Sequence, residues 1–332
     1  MAMIETVNLT KRYGDLVALN NLNLTLNEGD CFGFIGPNGA GKTTTIKILS
    51  TLLKPSSGQA QIAGLTVGYQ NRQIRPLIGY VPDFMGAYED MVVQEYLEFF
   101  AAAYNINGAH RKKVVQDVLE LTDLGYKATA EVNSLSRGMQ QRLSIARVLL
   151  HDPKVLLMDE PASGLDPRAR IEIRELLKEL KRMGKTILIS SHILHELAEL
   201  CNVVGIIERG TLLYAGTVTD ILQKARVGHV VHIGVVDRHE EAAALLRKMP
   251  GVQRVTLADA DHGARIGSPL IHVAFEDSSP AGGTGTARHT AASTVSDIPS
   301  ILVNNGFRLT KFTEEAVNLE TAFMRLTKGL VQ

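Results

Sequence analysis

The chain is short of several things, and each shortage removes a class of protein. Of its 332 residues only two are cysteine, Cys31 and Cys201. Two cysteines so far apart make neither a disulfide framework nor a CxxC metal pair, and they read as small buried hydrophobes in a reducing compartment. Charge of one sign is not in excess: 35 Lys+Arg balance 35 Asp+Glu, and a pI near 7.2 argues against a chain whose main partner is bare nucleic acid. There is no run of about 18 apolar residues, so no membrane-spanning helix is expected. The opening MAMIETVNLTKRYG has no basic stretch leading into an apolar core, so it does not read as a signal peptide. Any role at a membrane is then expected to run through a partner. What remains is 45% hydrophobic and 21% charged, which supports a packed core and excludes wholesale disorder. The length leaves room for two domains of roughly 100–200 residues each.

Short apolar runs alternate with helical patterns through the first part of the chain. Residues 3–9 alternate as a strand, Asp30–Ile35 reads as a buried strand entering a Gly-rich turn, and Lys42–Leu49 reads as a helix. Val155–Met158 and Thr186–Ile189 are further short apolar runs. Such runs separated by helices predict a mostly parallel sheet covered on both faces. Strands are absent from the pattern between about Met91 and Leu150, where Val93–Tyr104, Arg111–Leu124 and Ser136–Leu150 carry helical spacing. This predicts a helical insertion in an α/β domain. A hairpin is expected around Arg209-Gly210.

The composition changes after about residue 220. His229–Val236, Val252–Leu257, Leu270–Phe275 and Phe307–Phe312 read as strands; His239–Met249, Ile298–Asn305 and Leu319–Thr327 read as helices. The order β-α-β-β-α-β predicts a small ferredoxin-like unit. Ser278–Ser296, rich in Ser, Thr, Ala and Gly, reads as a flexible loop.

Residues Gly36-Pro37-Asn38-Gly39-Ala40-Gly41-Lys42-Thr43 match GxxxxGK[ST] without departure, between a predicted strand and a predicted helix. The glycines permit turns that let backbone N–H groups converge on phosphate oxygens beside the positive end of a helix dipole. Lys42 is placed to neutralise β- and γ-phosphate charge, and Thr43, followed by Thr44, to offer a hydroxyl to Mg2+. Val155–Met158 runs into Asp159 and Glu160. A buried strand ending there delivers both carboxylates to the edge where ligands of open α/β sheets bind. Asp159 suits the Mg2+ shell and Glu160 suits polarising a water for attack on the γ-phosphate.

Leu135-Ser136-Arg137-Gly138-Met139-Gln140-Gln141-Arg142 resembles the signature sequence of ABC ATPases and stands before the two carboxylates, as in that family. Arg137 departs from the family's usual Gly, while Ser136 and Gly138, which touch nucleotide in the family, are kept. The resemblance covers roughly residues 3–220 and implies further roles. Tyr13 takes the place of an aromatic that stacks on adenine. Ser163-Gly164-Leu165-Asp166 matches a loop that crosses the dimer interface, with Asp166 counted at the nucleotide site. His192 matches the switch histidine that contacts the γ-phosphate. Asp83 stands where the family usually has a Gln that touches Mg2+ and links the site to the transport subunit. It keeps an oxygen ligand but adds a negative charge; capping the next turn is its other reading.

The fold so implied is α/β: a P-loop ABC-type nucleotide-binding domain over 1–220, with RecA-like core, helical subdomain at about 85–150 and antiparallel β edge. An accessory α+β domain over 221–332 follows it. ATP and Mg2+ are the implied cofactors. One phosphate loop and one signature make half of each composite site, so a second ATPase subunit is implied, a homodimer being the economical case. The stretches around 85–124 and Asn318–Phe323 resemble ATPase subunits of ABC-2-type exporters, which drive a separate transmembrane permease from the cytoplasmic face. An importer ATPase with a C-terminal small-ligand regulatory domain, and a non-transport ABC protein, are the other readings. No nucleic acid partner is expected. His229, His232, His239, His262, His272 and His289 lack metal-site spacing.

Overall fold

The structure, a computed structural model, describes residues 2–83, 86, 91–225, 230–258, 269–275, 291–314 and 319–326. The chain divides into two compact units, Met1–Ile221 with Phe323–Gln332, and Leu222–Ala322.

In the first unit the chain runs β1 (Ala2–Tyr13), β2 (Leu16–Asn27), β3 (Cys31–Ile35), α1 (Lys42–Leu49), β4 (Ser57–Ile62), β5 (Leu65–Thr66), α2 (Asn71–Ile74) and β6 (Ile78–Val81). The helices α3 (Val93–Ala103), α4 (Gly108–Leu121) and α5 (Arg137–Leu149) follow. Then come β7 (Val155–Asp159), α6 (Pro167–Arg182), β8 (Thr186–Ser191), α7 (Leu194–Leu200), β9 (Val203–Glu208) and β10 (Thr211–Thr217). Helix α8 (Val218–Ala225) carries the chain onward.

Two sheets result. An antiparallel sheet has the order β2-β1-β4-β5, and a six-stranded sheet the order β10-β9-β3-β8-β7-β6. In the second, β9, β3, β8, β7 and β6 are parallel and β10 is antiparallel at one edge. Every residue of β3, β7 and β8 is buried. Helices cover both faces of such strands, which is why they read as continuous apolar runs and not as alternating ones. Leu19, Leu22, Leu24, Phe32, Phe34, Ile46, Ile62, Val155 and Leu157 belong to one buried cluster shared by the two sheets and α1. Each such burial removes about 1.5–3 kcal/mol of side-chain exposure. Cys31 and Cys201 are free and buried, with Sγ atoms 3.7 Å apart, as expected for small apolar fillers.

The long hairpin partner β2 was not legible as a strand. Its residues Leu19, Leu22, Leu24 and Leu26 are buried, but Asn20 and Asn21 interrupt the alternation, and Asn21 takes a positive φ of 50°. The bulged register there puts two consecutive polar residues on the outside.

The second unit comprises β11 (Val230–Val235), α9 (His239–Leu246), β12 (Val252–Ala258), β13 (Leu270–Phe275), α10 (Ala291–Asn304) and β14 (Leu309–Glu314). Helix α11 (Leu319–Leu326) follows. The strands pair antiparallel in the order β12-β13-β11-β14. Val231, Ile233, Ile271, Val273 and Phe275 form its core with Ala242, Leu246, Ile298 and Leu302 from the two helices. One expectation is corrected: residues 291–296 are not loop, because α10 begins at Ala291. Val295, Ile298 and Leu302 follow at helical spacing onto the sheet, so the Ser/Thr-rich composition did not prevent a helix where an apolar stripe was available. The rest of the expected loop, 278–290, lies outside the described residues, as do Tyr88, Glu89, Asp90, His229, His262, His289 and Asn318.

Within the first unit the helical insertion is tied to the core by one buried cation. Arg142 of α5 is 5% exposed. Its Nη1 donates to the carbonyls of Thr122 (3.2 Å) and Asp123 (3.1 Å) and to Asp123 Oδ2 (3.1 Å). Its Nη2 lies 3.4 Å from Glu172 on α6. Arg142→Ala leaves these acceptors unsatisfied, and we expect a loss of about 2–4 kcal/mol in urea unfolding followed by far-UV circular dichroism. A loss below about 0.5 kcal/mol would contradict this tie.

Candidate functional site

Four neighbouring parallel strands, β3, β8, β7 and β6, end at one edge of the sheet. Their register places Ile35 beside Ser191, Ser190 beside Asp159, and Met158 beside Val81. The segments that follow are therefore neighbours in space: Gly36–Thr43 after β3, His192 after β8, Glu160 after β7 and Asp83 after β6. A cavity of about 410 Å3 opens there, lined by Asn38, Thr43, Asp83, Asp159, Glu160, Ser163 and His192. Ligands of open α/β sheets bind at this edge.

The loop from Gly36 is glycine-dependent at two points. At Gly36 a Cβ would run into the carbonyl oxygen of Ile207. Gly41 has φ +109°, and a Cβ there would stand 2.7 Å from the Ala18 carbonyl oxygen. That conformation starts α1, whose first N–H groups and positive dipole end face the loop. Lys42 is 5% exposed, and its Nζ donates to the carbonyls of Gly36 (2.7 Å) and Pro37 (3.2 Å) and lies 3.5 Å from Glu160 Oε1.

Asp159 is also 5% exposed. Its Oδ1 accepts from Thr43 Oγ1 (3.0 Å) and Ser190 Oγ (2.8 Å), which joins α1, β7 and β8 through one atom. Glu160 turns into the left-handed region at φ +48°, a conformation that costs a residue with a Cβ about 1 kcal/mol or more. Its N–H holds the turn by donating to Ser190 Oγ (3.0 Å) and Ser190 O (3.2 Å). The turn swings the Glu160 carboxylate toward His192, whose Nδ1 lies 2.5 Å from Oε2. Ser190 was missed as a site residue in the sequence. Its signal was a hydroxyl at the buried end of an apolar strand, two residues before His192.

Asp83 stands at the rim of the cavity. Partial desolvation pushes its carboxyl above the usual range, and the charges of Asp159 and then Glu160 push it further; Arg137 and His192 pull it back. Tyr80, on β6 three residues before Asp83, is raised by burial and then by Asp159 and Asp83. The edge is thus rich in negative charge, with Asp83, Asp159 and Glu160 against Lys42. Such a site fits a divalent cation held partly by phosphate. Among the described residues no three His, Cys, Asp or Glu converge as a protein-only metal cage. Mg2+ does not need one, since it takes one or two carboxylates or hydroxyls and fills its shell with water and phosphate.

The other predicted residues lie apart from the cavity lining. Tyr13, 47% exposed with Lys11 Nζ 5.2 Å from its ring centre, ends β1 opposite Leu16. Leu16 is two residues from Ala18, whose carbonyl packs at Gly41, so this hairpin end lies beside the loop. Ser136 caps α5, its Oγ accepting from Met139 N (3.3 Å). Gly138 packs against α6, where a Cβ would come within 2.6 Å of Ala169 Cβ. Asp166 caps α6, accepting from Ala169 N (3.0 Å). Neither Ser136 nor Gly138 lines the cavity of its own chain.

The chain is similar to known proteins in sequence and in fold. The family described as ABC transporter matches residues 19–163. A linearmycin resistance ATP-binding protein of Bacillus subtilis is 32% identical over 78% of this chain and 83% of its own length. A Nod factor export ATP-binding protein I of Cupriavidus pinatubonensis is 40% identical over 67% of this chain and 68% of its own. Among solved structures, a dimeric ATP-binding cassette in a post-hydrolysis state with ADP and Pi bound superposes with a TM-score of 0.58. It is 28% identical, covering 65% of this chain and 98% of that one.

Removal of the one cation in the loop tests the site. We expect Lys42→Met to weaken ATP binding by about 30-fold or more in titration calorimetry, the scale of about 2 kcal/mol for a charge-assisted contact. An affinity within about threefold of the wild type would remove Lys42 from the phosphate contact.

Proposed function

The chain belongs to the ABC transporter ATP-binding family, and on that premise we propose that it is the ATP-hydrolysing subunit of an exporter. Two copies close head to tail around ATP and drive a separate membrane permease. The observation that carries this reading is the divided site. Lys42, Thr43, Asp159, Glu160 and His192 share one edge of the sheet, whereas Ser136 and Gly138 stand at the start of α5 outside that cavity. A second copy supplies the missing signature, as the dimeric arrangement of the related cassette supports.

In this reading the Gly36–Thr44 backbone cradles the phosphates and Lys42 balances their charge. Tyr13 offers its exposed ring to the base. Thr43, Asp159 and Asp83 hold Mg2+, which neutralises charge on the β- and γ-phosphates when bound. Glu160 accepts a proton from the attacking water, and His192, positioned by the Glu160 carboxylate, contacts the γ-phosphate. Ser136, Gly138 and Asp166 act across the dimer. ATP favours the closed pair and hydrolysis releases it.

Export is supported by the relatives, whose names refer to Nod factor export and linearmycin resistance. Among the described residues no helix is long and apolar enough to cross a membrane; in this reading the permease is a separate chain and this chain works at the inner membrane face. A groove of about 980 Å3, lined by residues of the helical insertion together with Arg72, Arg75, Pro76, Met183 and Lys185, supports a seat for that partner. Val114, Val118 and Leu121 of α4 form one wall and Tyr104 stacks on His151 at another, ring centres 4.3 Å apart. We assign this groove to a short helix of the permease. The strand order of the second unit supports a ferredoxin-like reading, and we read that unit as a brace between copies.

Glu160→Gln should bind ATP but not hydrolyse it, so that the full chain elutes as a stable dimer with MgATP in size-exclusion chromatography. Wild-type turnover in this variant would remove Glu160 from its role. Val114→Glu, in the groove and away from the phosphates, should abolish co-purification with a polytopic membrane protein from detergent extracts while leaving ATP affinity within about twofold. Undiminished co-purification would place the permease elsewhere.

A further inference from the structure

Two consecutive serines end β8, and both are buried, Ser190 completely and Ser191 with 6% exposure. Consecutive residues of a strand point to opposite faces of the sheet. In the register Ser190 stands beside Asp159 of β7 and Ser191 beside Ile35 of β3. Neither lines the phosphate cavity. Their hydroxyls serve two different turns, and each turn carries one member of the Glu160–His192 contact.

Glu160 has reason to leave its position. It precedes Pro161, whose ring restricts the backbone before it, and it holds a left-handed φ of +48°. Its N–H donates to Ser190 Oγ (3.0 Å) and Ser190 O (3.2 Å), and its carbonyl accepts from Ser163 N (3.0 Å). The single proton of the Ser190 hydroxyl goes to Asp159 Oδ1 (2.8 Å), so the oxygen meets Glu160 N–H purely as an acceptor. His192 is held as lightly. Its side chain is 53% exposed, so packing contributes little to its orientation. The ring meets Glu160 Oε2 at Nδ1 (2.5 Å), and Ser191 Oγ closes the backbone around it by accepting from Ile193 N (2.9 Å). A hydroxyl that accepts from the N–H two residues on makes a turn of its own, and here that turn sets where His192 leaves the strand.

We propose that Ser190 and Ser191 are positioning residues that set the Glu160–His192 contact from its two ends, Ser190 through the turn of Glu160 and Ser191 through the turn of His192. The inference rests on the reading of this cavity as an ATP site. Loss of either hydroxyl lets one partner of the contact relax. The phosphate loop is untouched, because Lys42 keeps its bonds to Gly36 and Pro37 and Thr43 keeps its bond to Asp159. The rate then falls at unchanged ATP affinity.

Hydrolysis by the full chain at saturating MgATP tests this. Ser190→Ala and Ser191→Ala should each lower kcat about five- to tenfold and leave KM for ATP within about twofold. Ser191→Thr keeps the hydroxyl and should hold kcat within about twofold of the wild type. Both serines act on one contact, so the double variant should lose about tenfold, short of the product of the single losses. Ser190 also touches Asp159, and the Mg2+ dependence separates its two partners: the loss in Ser190→Ala should persist at excess Mg2+. Wild-type kcat in either alanine variant, recovery of Ser190→Ala at excess Mg2+, or single losses that multiply in the double variant overturns the proposal. A second readout needs no turnover. A carboxylate accepts, so Nδ1 carries the proton of the His192 contact. In the nucleotide-free chain with nitrogen-15 histidine, that proton should give a downfield resonance, assigned by its absence in His192→Gln. Each alanine variant should lose it while melting within a few degrees of the wild type, and its persistence in both overturns the proposal. Absence of turnover in the wild-type chain would count against the ATP-site reading, and the resonance would then decide the serine pair alone.

Discussion

The site hangs on a carboxylate that is almost out of water. Asp159 is 5% exposed, and a buried carboxylate is tolerated only where its charge is met by hydrogen bonds or a cation. One of its oxygens takes the hydroxyls of Thr43 and Ser190, so the first turn of α1, the end of β7 and the end of β8 are fixed to each other through a single atom. Ser190 then holds the strained turn at Glu160, and that turn aims the Glu160 carboxylate between Lys42 and His192. Loosening Asp159 would release the whole chain of contacts at once. This is why the arrangement is built on the rigid end of a sheet and not on a loop.

The same rigidity explains the division of labour between the elements. The sheet edge supplies groups that must be placed to within a fraction of an ångström: the glycine-dependent loop, the two carboxylates Asp159 and Glu160, and His192. The helical insertion supplies the turn at the start of α5, capped by Ser136 and packed through Gly138 onto α6, with neither residue lining the cavity of its own chain. Arg142 anchors the insertion to α4 and α6 while the groove beside α4 remains open to a partner. A molecule so arranged holds each half of a composite site at a different place, and closure between copies becomes the step that ATP controls.

Much of this was legible because central parallel strands announce themselves. Val155–Met158 and Thr186–Ile189 are continuous apolar runs since both faces are covered, and they lead into Asp159-Glu160 and Ser190-Ser191-His192. The phosphate loop was legible because its glycines answer steric demands that the structure shows at Gly36 and Gly41. What escaped reading obeys other rules. Strand β2 carries its buried leucines through a bulge that breaks the two-residue period, and Ser190 draws its importance from a partner 31 positions away. Helix α10 hides an apolar stripe in a Ser/Thr-rich stretch. The setting of Asp83, beside residues that follow β3, β7 and β8, could not be seen until β6 was placed beside β7.

The central claim is that one chain holds only half of each hydrolytic site. The direct measurement is ATP hydrolysis per chain as a function of protein concentration at saturating MgATP. If two chains complete the site, the rate per chain rises with concentration in the dilute range and levels off once the dimer is saturated. A rate per chain that stays constant down to dilutions at which light scattering finds only monomer would show that a single copy hydrolyses ATP unaided, and would contradict the account.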